Sequence, residues 1–280
     1  MPELLVLQSV WGLDQCPGFD IENRLDEALG QVVAAGFDGV GVNLARTVRT
    51  DGVARVMNPL GLAWEGQVLV HDADQLSHWI GEAHRLGAHH LNVQIAGPTA
   101  DFRAALALID RLVAAAKDAP LPVWFETHRG RLTNDLLFTL KLLEERPGLP
   151  LTADLSHYPV AGEMELPLRD DQLAAIETIL QGSHNFHGRV STTHQVQVAL
   201  DAPQHARWLD QHIAWWRRGF ELWLEQAREG DALTFMCELG PPPYAITAPD
   251  GRELTNRWDE AQRMRDIVRG LWSEVNGSPE

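Results

Sequence analysis

Residues 89–96 read HHLNVQIA, and within them Leu91, Val93 and Ile95 alternate with Asn92 and Gln94. Successive side chains of a strand point to opposite faces. The stretch therefore predicts a strand with one apolar and one polar face. Candidate helices flank it at 73–86 and 101–117, and the same order repeats outward to both termini. Strands are predicted at 4–10, 37–43, 62–70, 89–96, 121–127, 150–156, 185–191 and 233–239. Helices are predicted at 21–36, 46–59, 73–86, 101–117, 132–146, 170–180, 203–229 and 254–274. Eight alternating units predict an α/β fold, a parallel sheet closed into a (β/α)8 barrel, as a single domain over 1–280.

Local signals agree. Gly36, Gly61 and Gly87 fall just past predicted helix ends, where a left-handed residue is wanted. Asp101 precedes an apolar-periodic run and is expected to cap it. Residues 275–280, VNGSPE, read as a frayed tail.

The alternation recurs elsewhere. Val40 and Val42 alternate with Gly39, Gly41 and Asn43; Phe186, Gly188 and Val190 alternate with His187 and Arg189. In a barrel the outward face packs on helices and is apolar, so the polar set points inward. Parallel strands buried on both faces usually read as continuous apolar runs. Inward polar residues need a reason, and an active site is the usual one.

Composition narrows the class. A 45% hydrophobic chain supports a sizeable core. No run of about 18 apolar residues exists, so no membrane span is expected. The N-terminus lacks a basic segment, and no signal peptide is expected. Cys16 and Cys237 make no disulfide framework, so a cytoplasmic location is expected. The net charge of −16 disfavours nucleic acid and anionic membranes as partners and favours solubility.

Four residues at C-terminal strand ends form the strongest group: Glu126, Asp154, His187 and Glu238, on the fifth to eighth strands. Barrel enzymes place catalytic groups on that face. Adjacent strands lie about 4.8 Å apart, so the four can converge. A lone strand-end Glu is commonly a surface or capping residue; four in register on consecutive strands are not. Three carboxylates at one point would force protonation unless a cation joins them. The set suits one divalent ion, Mn2+, Mg2+, Co2+ or Zn2+.

Segments 124–130 (WFETHRG), 153–163 (ADLSHYPVAGE), 186–190 (FHGRV) and 238–244 (ELGPPPY) resemble the xylose-isomerase-like TIM barrels. That superfamily holds sugar isomerases, ketose 3-epimerases and endonuclease IV. The resemblance implies that Glu126, Asp154, His187 and Glu238 bind the metal. It implies that His157, in an Asp-x-x-His element with Asp154, touches substrate or lies beside the metal. Arg189 resembles a substrate-orienting arginine. The implied reaction is proton transfer next to a carbonyl of a sugar or polyol, through a metal-stabilised enediolate, with Glu126 and Glu238 as proton carriers.

Further candidates for the mouth are Trp11, Asn43, Glu65, Gln94, Trp124 and His128. Trp11 and Trp124 suit either sugar stacking or core packing. His184, His194, His205 and His212 read as loop or helix-surface residues. The loop Gly240-Pro241-Pro242-Pro243-Tyr244 is poor in the N–H groups that grip phosphate, which favours a free or glycosidically linked sugar, although Arg189 or Arg129 offers a side-chain anion site. Loops 157–169 and 191–204 are natural lids. Trp208, Trp215, Trp216 and Trp223 suit core packing or, in part, a homo-oligomer interface.

Three rivals stand beside the isomerase. A lyase acting on an oxidised sugar shares the proton abstraction. An endonuclease IV-type phosphodiesterase wants more histidines and a basic groove. A sugar-binding barrel without turnover has no need of the two glutamates.

Overall fold

The computed structural model describes residues 1–277. Eight parallel strands close into a barrel in chain order. They are β1 (Glu3–Ser9), β2 (Gly39–Asn43), β3 (Ala63–Val70), β4 (His90–Ile95), β5 (Val123–Glu126), β6 (Leu151–Asp154), β7 (Ser183–Gly188) and β8 (Ala232–Cys237). The last pairs back onto β1, from Glu3 opposite Ala232 to Gln8 opposite Cys237.

The connecting helices are α1 (Leu25–Ala34), α2 (Thr47–Leu60), α3 (Ala73–Leu86), α4 (Phe102–Ala116), α5 (Leu136–Glu145), α6 (His157–Ala161), α7 (Asp170–Gln181), α8 (Ala206–Leu224) and α9 (Arg257–Val275). Every predicted strand and helix is present, with ends shifted by a few residues. The short α6 and single 3-10 turns at Trp11–Leu13 and Pro203–His205 were expected as loop or as part of longer helices. Of the predicted tail, 278–280 lie outside the described residues. Among those described, no helix is long and apolar enough to cross a membrane.

The punctuation behaves as its chemistry requires. Gly61 and Gly87 cap α2 and α3 at φ of 66° and 80°, in the left-handed region. Asp101 accepts from the Ala104 N–H at 3.0 Å and so caps α4.

The outward faces of the strands bury Val40, Leu91, Val93, Phe125, Phe186 and Phe235 against the helices. Phe235 meets Trp216 and Phe220 of α8 edge-on. A Cβ at Gly188 would lie 2.3 Å from the Phe235 ring, so only glycine fits there. Trp208, Trp215 and Trp216 are buried in this core, and Trp223 packs on Trp272 of α9. His212 is not a surface residue: it is fully buried among these tryptophans, where its Nε2 accepts from the Ser191 N–H at 3.1 Å. Helix periodicity alone did not separate it from its exposed neighbours.

The inner face is divided. On β1, β2 and β8 it carries Leu7, Gly41 and Met236, and a Cβ at Gly41 would lie 2.1 Å from the Met236 methyl. On β3 to β7 it is mostly polar, with Trp124 of β5 the large aromatic exception, and Thr234 of β8 joins that polar set.

Candidate functional site

The polar half of the barrel interior is built in two tiers. The lower tier centres on Glu65 of β3, which has no exposed surface. Its Oε2 lies 2.7 Å from His90 Nε2 and accepts from Asn185 Nδ2 at 2.9 Å; its Oε1 accepts from Gln67 Nε2 at 3.0 Å. Asn185 Oδ1 in turn accepts from the Thr234 hydroxyl at 2.8 Å. Glu65 therefore does not line the mouth as expected. Its place early in β3 sets it beneath, near the barrel's middle.

His187 joins the tiers. Its Nε2 lies 3.0 and 3.1 Å from the two Glu65 oxygens, and its Nδ1 lies 3.3 Å from Glu238 Oε2. Burial alone would lower the imidazole, but the Glu65 and Glu238 carboxylates outweigh it and hold it well above its usual range. Burial likewise would raise Glu65; the charge and hydrogen bond of His187, with those of His90, instead hold it below the carboxylate range.

The upper tier sits at the C-terminal strand ends. Glu126 accepts from Asn92 Nδ2 at 2.6 Å and from Gln94 Nε2 at 3.0 and 3.1 Å. Burial, opposed by His187 and reinforced by Glu238 and Asp154, pushes Glu126 up to about 7. Asp154 Oδ1 accepts from the Ser156 N–H at 3.0 Å and its hydroxyl at 2.5 Å. Its Oδ2 lies 3.2 Å from His157 Nε2 and 3.6 Å from Arg189 Nη1, without a hydrogen bond to either. Arg189, 2% exposed, donates from Nη2 to Glu238 Oε2 and from Nε to the Glu238 carbonyl, both at 2.9 Å. His157 has no hydrogen-bond partner on either ring nitrogen. Burial lowers its pKa, and more strongly that of His128, to about 2.

These contacts sort the expected residues. Donor atoms of Glu126, His187 and Glu238 lie within 4.8 Å of one another. Asp154 stands beside them, across the Arg189 guanidinium. A second set, Glu126, His128 and His157, meets the same 4.8 Å limit. The His128 and His157 rings are 3.8 Å apart between centroids.

A cavity of about 250 Å³ opens above, lined among others by Trp11, Asn43, Gln94, His128, Arg189, Glu238 and Tyr244. Trp11 meets the Tyr244 ring edge-on at 5.2 Å, and Arg189 stacks over Tyr244 at 4.8 Å. Trp124 is not in this wall. One layer deeper than Glu126 on β5, it packs on His90 and His184. Sequence reasoning missed Arg46, Arg49, Arg131 and Gln67, which also line the cavity. Arg46 and Arg49 follow the end of β2 and Arg131 follows β5, so the rule that sites gather past C-terminal strand ends could have found them.

No protein-family model matches the chain, and no curated protein matches it significantly. Solved structures do. A xylose isomerase-like TIM barrel protein from Mycobacterium smegmatis, in complex with magnesium, is 14% identical with a TM-score of 0.59, over 97% of both chains. A sugar phosphate isomerase/epimerase from Parabacteroides distasonis is 10% identical with a TM-score of 0.58, over 98% of this chain and 96% of that one. D-Psicose 3-epimerase from Clostridium cellulolyticum, with D-tagatose, is 10% identical with a TM-score of 0.56, over 97% and 99%. The fold this chain shares with them is the (β/α)8 barrel.

Proposed function

We propose that the chain is a metal-dependent sugar isomerase or epimerase that moves a proton at a carbon next to a carbonyl. The substrate is a small sugar or polyol derivative. The observation that carries this reading is the convergence of the Glu126, His187 and Glu238 donor atoms, with Glu238 lining a cavity walled by hydrogen-bonding groups.

The donor set fits a divalent cation. Buried carboxylates that raise one another's proton affinity are relieved by positive charge. Asp154 Oδ2 adds a buried oxygen that lacks a hydrogen-bond partner. Glu126, Asp154, His187 and Glu238 would hold the ion, and Glu65 would fix the His187 ring from behind, as carboxylates commonly do for metal-bound histidines. The ion would supply Lewis-acid stabilisation of negative charge on the substrate oxygens.

The chain's own groups would do the rest. Asn92 and Gln94 fix the Glu126 carboxylate, and Arg189 fixes that of Glu238. Arg189 Nη1 remains free to orient a substrate oxygen. Glu126 ends β5 and Glu238 follows β8, three strands apart around the ring. One can take a proton from one face of a carbon and the other return it on the opposite face, which gives epimerisation. One carboxylate passing the proton between adjacent carbons gives isomerisation. Trp11 and Tyr244 offer an aromatic wall for C–H faces. We place the enzyme in the cytoplasm, as the buried free thiols of Cys16 and Cys237 allow.

The test is metal content with isotope exchange. Protein purified with Mn2+ should retain about one ion per chain and place solvent deuterium at one ketose stereocentre without fragmentation. Retention of no metal in excess Mn2+ would overturn the reading; release of an aglycone from a 3-oxo-glycoside would replace it with a lyase. A second reading rests on the shared Glu126 of the two donor sets. Two ions bridged there would suit a phosphodiesterase, and two ions per chain with cleavage of abasic DNA would favour it.

A further inference from the structure

The mouth carries more positive charge than its centre uses. Arg46, Arg49, Arg131 and Arg189 all line the cavity, against one lining carboxylate, Glu238. The chain as a whole has a net charge of −16. Arg189 is tied to Glu238 through Nε and Nη2, with Nη1 3.6 Å from Asp154 Oδ2 and without a hydrogen bond. The other three belong to the rim, past β2 and β5. Asp14 faces two of them, at 2.7 Å from Arg49 and 3.4 Å from Arg46. Glu22 is mostly exposed and 3.7 Å from Arg49. Among the described residues Arg131 has no carboxylate within ion-pair distance; it donates to Gln94 Oε1 at 2.8 Å and to the Gly130 carbonyl at 3.2 Å. The rim therefore keeps a positive surplus.

Two further observations point the same way. α2 starts at this rim; its N-cap is Arg46, with no side-chain cap, and its first turn holds no acidic residue. A helix N-terminus favours an anion. Arg189 Nη1 is buried, lacks a hydrogen-bond partner and belongs to a guanidinium lining the same cavity.

We infer that the substrate carries an anionic group, a carboxylate or a phosphate, which Arg46, Arg49 and Arg131 grip while its carbonyl end faces Glu126 and Glu238. The inference rests on the isomerase or epimerase reading above. Barrels often hold phosphate on backbone N–H groups after β7 and β8. Here Pro241, Pro242 and Pro243 have none, and the Gly240 N–H already donates to Gln197 Oε1 at 2.7 Å. Anion recognition passes to side chains on the other rim. Guanidinium forks match both carboxylate and phosphate.

The test titrates Mn2+-loaded protein by calorimetry with a neutral ketohexose, its 6-phosphate, the matching keto-hexuronate and inorganic phosphate. At least one anionic sugar should bind about 10- to 100-fold more tightly than the neutral one. The stronger of the two names the anion. The double variant Arg46→Ala/Arg131→Ala should bring that preference within roughly threefold, weakening the anionic sugar far more than the neutral one. Arg131→Lys should keep part of the preference, and Arg85→Ala, on the surface of α3, should keep all of it. Circular dichroism and Tm confirm that each variant is folded. Equal affinity for neutral and anionic sugars, equal loss of both in the double variant, or no binding of any probe would overturn the inference. Deuterium exchange separates the two claims. Exchange into a neutral sugar without anion preference defeats this inference alone; arginine-dependent anion binding without exchange into any sugar defeats the isomerase reading and supports this one.

Discussion

The two polar tiers occupy the same barrel, only a layer apart, yet their hydrogen bonds are met differently. In the lower tier Glu65, His90, Asn185 and Thr234 satisfy one another, and no side-chain atom of theirs is buried without a partner. In the upper tier Asp154 Oδ2, both His157 nitrogens and Arg189 Nη1 are buried and unpartnered. A buried polar atom without a partner costs about 1–3 kcal/mol. A fold keeps such atoms together when something outside the chain completes them. Closed polar networks hold a barrel; open ones bind.

That contrast is open to attack from both sides. The largest effect should come from the upper tier. Glu126→Gln should lower isomerase turnover by about 10²–10⁴-fold, measured by deuterium exchange, while the denaturant midpoint holds or rises. A variant that loses stability instead would make Glu126 part of the scaffold. Next is the lower tier. Asn185→Ala removes the donor to Glu65 and the acceptor of Thr234, and should cost roughly 2–4 kcal/mol in urea unfolding. Wild-type stability there would erase the distinction.

Glu260 of α9 sharpens the same point outside the barrel. It is 6% exposed, and the Leu200 N–H donates to its Oε1 at 3.3 Å. Burial pushes it up to about 7. A carboxyl whose folded pKa exceeds its unfolded one binds more protons when folded, so stability falls as pH rises from about 4.5 to about 7. Glu260→Gln should flatten that fall, by roughly 1–3 kcal/mol at pH 8 relative to pH 4.5 in paired unfolding curves. The smallest effect should be Asp101→Ala, far from both tiers, at about 1 kcal/mol in Tm-derived stability and with no change in turnover.

The strands were readable because alternation is a local property: Leu91, Val93 and Ile95 against Asn92 and Gln94 carry it without knowledge of the fold. Glu126, Asp154, His187 and Glu238 were readable because they end consecutive strands. Depth along a strand was not readable. Glu65 and Trp124 share the inward face with mouth residues, yet lie a layer too low, because barrel stagger sets the level and no single strand encodes it. The rim arginines lie past the strand ends, Arg46 and Arg49 at the start of α2 and Arg131 in a loop, where the period that exposed the strands is absent. His212 escaped for a related reason: α8 is buried over so much of its surface that its polar position did not mark the outside.

The closed lower tier also governs traffic. With the buried Glu65, His90, Asn185 and Thr234 filling the barrel beneath the site, the cavity has its opening above. A molecule entering and a molecule leaving must use one doorway in turn. Product then competes with substrate for entry as well as for the site, and any bulky appendage on the substrate has to trail outward past the arginines.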